Sequence, residues 1–90
     1  MGMVVIHHKV KDFASWKPIY DKHAGARKAA GLTKDHVLQA MGDPNSVTVV
    51  MDFTDASKAR AFAASADLKA AMKLAGVDGA PAIHILKKVT

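Results

Sequence analysis

Two adjacent histidines, His7 and His8, lie in a run rich in Val and Ile near the start of the chain. Trp16, Tyr20 and His23 follow at intervals of four and three residues, which is the spacing of one helix face. Imidazole exchanges protons near neutral pH, and indole and phenol rings offer flat apolar surface with one polar group each. These residue types are suited to hold a small aromatic ligand and to move one of its protons.

Hydrophobic periodicity predicts strands over residues 3–10, 32–41, 47–54 and 82–89. It predicts helical regions over 16–30 and 56–75, the second with a break near Ser65, each closed by a glycine. Turn residues in "GDPNS" (42–46) predict the hairpin, and "DGAP" (78–81) predicts a loop. The order βαββαβ predicts one ferredoxin-like α+β domain over residues 1–90, with a four-stranded antiparallel sheet ordered 4-1-3-2.

Alternation along the strands assigns side chains to the two faces of this sheet. On the third strand, the row that ends at Phe53 is uniformly apolar and suits the face covered by the helices. On the first strand, His8 shares its row with Val4 and Ile6. We therefore expect His8 to lie under the helices and His7 to lie on the opposite face.

The helix-covered face is the predicted ligand site, because it combines apolar side chains with a few polar groups. His8 and His23 are its candidate catalytic residues. Its candidate ligand-binding residues are Trp16, Tyr20, Met51, Phe53, Phe62 and Met72. The alternative interpretation is a core histidine at position 8, bonded to a backbone carbonyl or to Tyr20, with Trp16 serving only to pack the core.

The opposite face carries a second set of polar residues, His7, Asp52 and His84. An Asp that orients a His is a recognisable catalytic pair, and two His with one carboxylate suit zinc or ferrous iron. The spacing matches no local metal motif. The favoured interpretation is a polar network or salt bridge that sets the register of a dimer, so no metal site is predicted.

Composition narrows the classes of partner and compartment. The chain has 90 residues, half of them apolar, no cysteine and a net charge of +5. The thirteen Lys and Arg are scattered, so no nucleic-acid partner is expected. No segment resembles a signal peptide or approaches the roughly 20 apolar residues of a membrane span, and a cytoplasmic location is expected. A sheet face that carries Val5 and Val50 is too apolar for water, which predicts a homodimer.

Four segments together resemble the dimeric α+β barrel superfamily, and within it the small antibiotic-biosynthesis-monooxygenase-like proteins. They are "HKVKDFASWKPIYDKH" (8–23), "DPNSV" (43–47), "DFTDASKARAFAASADLKAAM" (52–72) and "GVDGAPAIHIL" (76–86). The resemblance implies dimers closed by the free sheet faces, with a ligand between the helices and the sheet of each subunit. It does not extend to the haem-degrading branch, because the first strand has no Asn and residues 56–75 have no His.

The resemblance leaves two functions open. The first is binding of a small aromatic or polyketide-like ligand, with oxygenation to a quinone that needs no flavin or metal because the substrate's own phenolate activates oxygen. His8 or His23 would then assist deprotonation, and Trp16 and Tyr20 would orient the ring. The second is a non-catalytic homodimeric accessory or stress-linked protein whose interior is filled by its own side chains. An open cavity beside His8 would favour the first.

Overall fold

A computed structural model describes residues 2–87 and 89, apart from the side chain of Asp67. The strands are β1 (Gly2–Val10), β2 (Leu32–Ala40), β3 (Asp43–Phe53) and β4 (Val77–Leu86). The helices are α1 (Phe13–Lys22), α2 (Ala24–Ala29), α3 (Ala56–Ala63) and α4 (Ala66–Leu74). The antiparallel sheet has the order β2-β3-β1-β4, which confirms the predicted ferredoxin-like topology. No described helix has both the length and the apolar character that crossing a membrane demands.

The predicted assignment of the two sheet faces is also confirmed. Val47, Val49, Met51 and Phe53 of β3 are buried, as are Val4, Ile6, His8 and Val10 of β1, and together they form the floor of the core. His7 is exposed on the other face. The register that aligns Ile6 with Val49 and His8 with Val47 keeps both apolar rows beneath the helices.

The first helical region differs from its prediction, because it begins at Phe13 rather than Trp16 and breaks at His23. The ring Nδ1 of His23 donates a hydrogen bond to the carbonyl of Ile19 at 2.9 Å. In a continuous helix that carbonyl would accept from the backbone N–H of His23, which instead bonds to Tyr20 at 3.2 Å. The histidine side chain thus competes for the acceptor and ends α1 one turn before Arg27.

The predicted turn over residues 42–46 is also wrong in position. The chain reverses at Met41 and Gly42, where Gly42 has φ +93°, and β3 begins at Asp43. Pro44 and Asn45 lie in a bulged stretch of β3, since the register shifts between Gln39 and Ala40 of the partner strand. A proline is tolerated there because a bulge frees it from the hydrogen-bond ladder.

Of two predicted features in the second half of the chain, one is confirmed and the other is wrong. The break at Ser65 is confirmed, since its hydroxyl accepts a hydrogen bond from the backbone N–H of Leu68 at 3.1 Å and caps α4. The predicted loop over residues 78–81 is instead part of β4, which starts at Val77. This stretch is irregular, because β4 advances four positions, from Asp78 to Ala82, where β1 advances only two, from His7 to Lys9.

Candidate functional site

A cavity lies between the helices and the sheet, on the face where the sequence places the ligand site. It is lined by Ile6, His8, Trp16, Ile19, Tyr20, His23, Ala26, Arg27, Val49, Met51, Phe62, Leu68, Ala71, Met72 and Ala75. The cavity has a volume of about 70 Å³, or about 610 Å³ when the part open to solvent is included. The smaller volume suits a single ring rather than a large polycyclic molecule.

Seven of the eight predicted site residues line this cavity, and Phe53 is the exception. Phe53 is fully buried at the floor of the core, where its ring lies 5.2 Å from that of Phe62. It shares the strand face of Met51, so alternation alone gave it the same assignment. Phe62 lies in the cavity wall, and Phe53 packs against its ring without lining the cavity.

His8 is the most unusual polar residue of the cavity. It is only 5% exposed, and neither ring nitrogen finds a hydrogen-bond partner among the described residues. Burial, followed by the neighbouring charge of His7, holds the pKa of His8 below its ordinary value of 6.5. The imidazole is therefore neutral at pH 7, with a lone pair available to accept a proton or a hydrogen bond.

The irregular stretch of β4 lies directly beside this histidine. His7 aligns with Ala82 and Lys9 aligns with Asp78, while His8 between them has no register partner on β4. Gly79 adopts φ +78° within the stretch, a conformation that few residues other than glycine adopt. Bulges next to functional sites re-aim side chains and interrupt pairing. Here the interruption leaves one side of His8 free of the adjacent strand.

Trp16 and Tyr20 form one wall of the cavity from consecutive turns of α1. Their rings stack with centroids 4.9 Å apart, and Trp16 also lies 5.6 Å from the His8 ring. Trp16 is 3% exposed, so the indole is a fixed surface rather than a mobile side chain. Since the guanidinium of Arg27 covers the other face of the Tyr20 ring, both faces of that ring are occupied, and the wall consists of fixed apolar ring atoms next to the neutral imidazole.

The Tyr20 hydroxyl already donates a hydrogen bond within the protein, so its proton is not available to a ligand. It donates to Oδ2 of Asp35 on β2 at 2.5 Å. Burial, followed by this hydrogen bond to a carboxylate, raises the pKa of Tyr20 well above its ordinary value. Tyr20 therefore stays a phenol at physiological pH and contributes ring surface and position rather than acid or base chemistry.

The sequence interpretation missed Arg27 and Asp35 as members of the site. Arg27 is 6% exposed, lines the cavity and holds its guanidinium carbon 3.7 Å from the Tyr20 ring centroid. Its Nη1 donates to the Tyr20 carbonyl at 2.7 Å. A signal was present, because Arg27 falls on the same predicted helix face as Trp16, and Asp35 occupies a helix-facing position of β2.

His23, the second candidate base, is partly buried at the break between α1 and α2. Because a carbonyl can only accept, the bond to Ile19 places the proton of a neutral His23 on Nδ1 and leaves the lone pair on Nε2. His23 can therefore accept a proton, but its ring is tied to the helix end. His8 is the better-placed base, since its ring nitrogens have no competing partner among the described residues.

On the opposite face, the structure does not bring His7, Asp52 and His84 together. Asp52 aligns with Met3, Val5 with His84, and His7 with Thr48, so the three polar residues fall in three successive cross-strand rows. The three residues therefore do not lie side by side, and His7 shares a 2.9 Å hydrogen bond with the Thr48 hydroxyl. Within the part of the chain that the structure describes, no group of three or more His, Asp or Glu side chains could hold a metal ion.

Known structures share this architecture over the whole chain. An antibiotic biosynthesis monooxygenase, described as putative, from Bordetella bronchiseptica is 20% identical with a TM-score of 0.78, covering 99% of this chain and 98% of its own. A second such protein, from Caulobacter crescentus CB15, is 20% identical with a TM-score of 0.77, covering 99% and 90%. SnoaB, a cofactor-independent oxygenase from Streptomyces nogalater, is 14% identical with a TM-score of 0.79, covering 99% and 93%.

Sequence comparison alone adds no closer relative: no family model matches the chain, and no curated protein is significantly similar to it. The likeness to solved structures, at 20% identity or less, is therefore a likeness of fold. Fold does not by itself give activity. The chain has the ferredoxin-like α+β fold of the antibiotic biosynthesis monooxygenase-like proteins.

Proposed function

We propose that this protein binds a small phenolic ligand against Trp16 and Tyr20 and oxygenates it without a cofactor. The observation that carries the proposal is the neutral, buried His8, whose ring nitrogens lack partners in the wall of an apolar cavity. Buried polar groups normally have partners, so an orphan in a cavity wall indicates a ligand or a water that completes its hydrogen bonds.

The proposed chemistry begins with a proton transfer from the ligand hydroxyl to His8. A neutral imidazole can accept this proton, and the attraction between the imidazolium and the phenolate offsets part of the cost of forming charges in an apolar site. The electron-rich phenolate then passes one electron to molecular oxygen, and the resulting phenoxyl radical combines with superoxide at a ring carbon. Loss of water leaves a quinone, so that one phenol and one oxygen molecule give one quinone and one water. The fold shared with SnoaB, described as a cofactor-independent oxygenase, supports this assignment.

The size of the cavity constrains the ligand. Its volume suits one ring. Phe62 and Met72, which are half-buried, lie in the cavity wall. A polyketide-like ligand would therefore insert one edge and leave the remainder near solvent. The same small volume supports the alternative of a non-catalytic accessory protein, which would bind phenols without consuming oxygen.

We also propose that the active form is a homodimer closed by the free sheet face. This face presents the paired residues Val5 and Val50 at its centre, with Leu38 and Leu86 about half exposed toward its edges. A second copy would remove this apolar surface from water. Each subunit would keep its own cavity on the side away from the partner.

The test compares the two adjacent histidines. A quinol titrated into the protein should shift the imidazole signals of His8 in proton–nitrogen NMR spectra and quench the fluorescence of Trp16. His8→Ala should weaken binding or turnover more than tenfold, about 1.4 kcal/mol. His7→Ala, the matched control on the other face, should leave binding intact and act on dimer stability.

Two results would count against these proposals. Loss of binding in His7→Ala with full binding in His8→Ala would show that the wrong face was chosen. Tight, His8-dependent binding of a phenol without oxygen uptake above the protein-free rate would favour the accessory protein over the oxygenase.

A further inference from the structure

Three of the five histidines lie on the free face of the sheet, and the proposed oxygenation uses none of them. His7 is in β1, His36 is in β2 and His84 is in β4, and all three are exposed in the single subunit. Imidazole is the side chain that ordinarily gains or loses a charge between about pH 5 and pH 8. The charge of this face can therefore change under conditions in which its lysines and aspartates keep theirs.

The central cross-strand row of the free face is symmetric in residue type. Across the four strands it reads His36, Val50, Val5 and His84, with a histidine at each end and two valines in the middle. Most dimers are closed by a twofold axis, which makes the same patch of both subunits meet. An axis through the middle of this row, either along the row or along the strands, places valine on valine and histidine on histidine. The face therefore fits a second copy of this chain.

His7 lies in the next row, on one of the two central strands. Its register partners are Thr48 on β3 and Ala82 on β4, and its Nδ1 lies 2.9 Å from the Thr48 hydroxyl. Since His7 is two residues along β1 from Val5 and on the same face, a partner that covers the valines also covers His7. A dimer closed here would enclose three imidazoles from each subunit.

The other charged groups of this face offset little added positive charge. Lys34 and Asp52 are register partners in the row on the other side of the central one, and their charges cancel. Among the described residues, Asp52 is the only carboxylate in these three rows. Further along the strands, Lys9 forms an ion pair with Asp43, and Asp78 is the β4 partner of Lys9. A second copy would bring the same set of charges, because its face is identical.

Protonation of the three histidines opposes closure of the dimer. A neutral imidazole can be buried when its N–H finds a partner, but an imidazolium loses far more hydration and meets like charges across the axis. Separate subunits therefore bind these protons more readily than the dimer does. By linkage, acidification favours the separate subunits, and the dimer is most stable where the imidazoles are neutral.

We propose that the free face is an acid-labile dimer interface: His7, His36 and His84 allow the subunits to associate while neutral and separate them when charged, between about pH 7 and pH 5. The inference rests on the homodimer of the proposed function and adds its regulation. It takes nothing from the ligand chemistry, which belongs to the opposite face.

The test measures the dimer dissociation constant by sedimentation at pH 7.5 and pH 5.5, at one ionic strength because salt screens surface charge. In the unmodified protein the constant should rise about a hundredfold on acidification, which corresponds to about 2.8 kcal/mol. A triple variant, His7→Gln with His36→Gln and His84→Gln, carries polar amides that do not become charged. Its dissociation constant should change by less than about threefold.

A matched control and a second measurement make the result specific. His23→Gln removes a histidine from the cavity side and should keep the full pH effect. Circular dichroism distinguishes dissociation from unfolding, and the unmodified protein should keep its helical signal at pH 5.5. If the triple variant does not associate at pH 7.5, the three single variants decide, since each should remove part of the pH effect.

The outcomes separate this inference from the proposed function. Equal dissociation constants at the two pH values, a full pH effect in the triple variant or in all three single variants, or its loss in His23→Gln would overturn the switch and leave the dimer standing. Separation accompanied by loss of the helical signal would be unfolding and would also overturn the switch. A monomer at pH 7.5 in the unmodified protein would overturn both the switch and the dimer. The phenol titration of His8→Ala would still decide the ligand function in each of these cases.

Discussion

His8 carries a stability cost that the proposed role in ligand binding would explain. A buried polar group without a partner destabilises a protein by about 1–3 kcal/mol, because it has lost its bonds to water and gained none. An apolar side chain of similar size would fill the position without that cost. Residues that serve ligands are often kept at the expense of stability, and a ligand that bonds to His8 would restore part of what is lost.

This cost depends on pH in a direction that the environment of His8 fixes. Burial, then the charge of His7, lowers the folded-state pKa below the ordinary value of 6.5, so the unfolded chain binds more protons under mildly acidic conditions. The stability linked to His8 is therefore fully present above about pH 6.5. It is lost as the pH falls through the lower folded-state pKa.

His8→Leu should remove this pH dependence and raise the unfolding free energy. At pH 7 we expect the variant to be about 1–3 kcal/mol more stable, because two unpartnered nitrogens leave the core. The unfolding free energy, measured in urea at pH 7 and pH 5, should fall less between the two pH values for His8→Leu than for the unmodified protein. An equal fall in the unfolding free energy of His8→Leu would show that His8 is not the source of the pH dependence.

Alternation was enough to tell His8 from His7, since strand residues point to opposite faces and β1 has no irregularity against β3 from Gly2 to Lys9. It was not enough to separate Met51 from Phe53, which are both buried on the same face but differ in whether they line the cavity. The pairing of Arg27 with Asp35 depends on where β2 lies beside β3, a long-range register that local periodicity does not contain.

At the scale of elements, the position of the Trp16–Tyr20 wall depends on how α1 begins. The Asp12 side chain, although Asp12 occupies the N-cap position, makes no cap hydrogen bond and instead accepts from the Ser15 hydroxyl at 2.9 Å. The cap comes from Asn45 of β3, whose Oδ1 accepts from the backbone N–H of Phe13 at 2.9 Å. Asn45, which the sequence analysis assigned to a turn, thus joins the hairpin to the helix through its side-chain amide.

Asn45→Ala should destabilise the fold by about 1 kcal/mol, the usual cost of losing a side-chain cap. Ligand binding should weaken as well, because the first turn of α1 positions Trp16. Asn45→Asp is the matched control, since its carboxylate keeps the acceptor and suits the positive end of a helix. Urea unfolding and a ligand titration on both variants check this. Equal loss in the two variants would show that the amide acts through some contact other than the Phe13 cap.

For the whole molecule, the sheet separates two kinds of surface. The helix-covered face holds the cavity, and the free face presents cross-strand rows of mixed apolar and polar side chains. The central row runs His36, Val50, Val5 and His84, and the rows beside it are Leu38, Thr48, His7 and Ala82, and Lys34, Asp52, Met3 and Leu86. The apolar residues favour a covering partner, and the polar residues among them would set its register.

Val50→Asp should convert the protein to a monomer. In the dimer we propose, this substitution would bury a carboxylate at the centre of the interface, which is strongly unfavourable without a paired cation. In a monomer the same side chain is half-exposed and would remain hydrated, so the chain should still fold. Met41→Asp, at a fully exposed hairpin tip, is the control and should leave assembly unchanged. Sedimentation velocity distinguishes the species, and a stable monomer in the unmodified protein would refute the dimer. Because the cavity lies on the other face, monomeric Val50→Asp should still bind a phenol through His8.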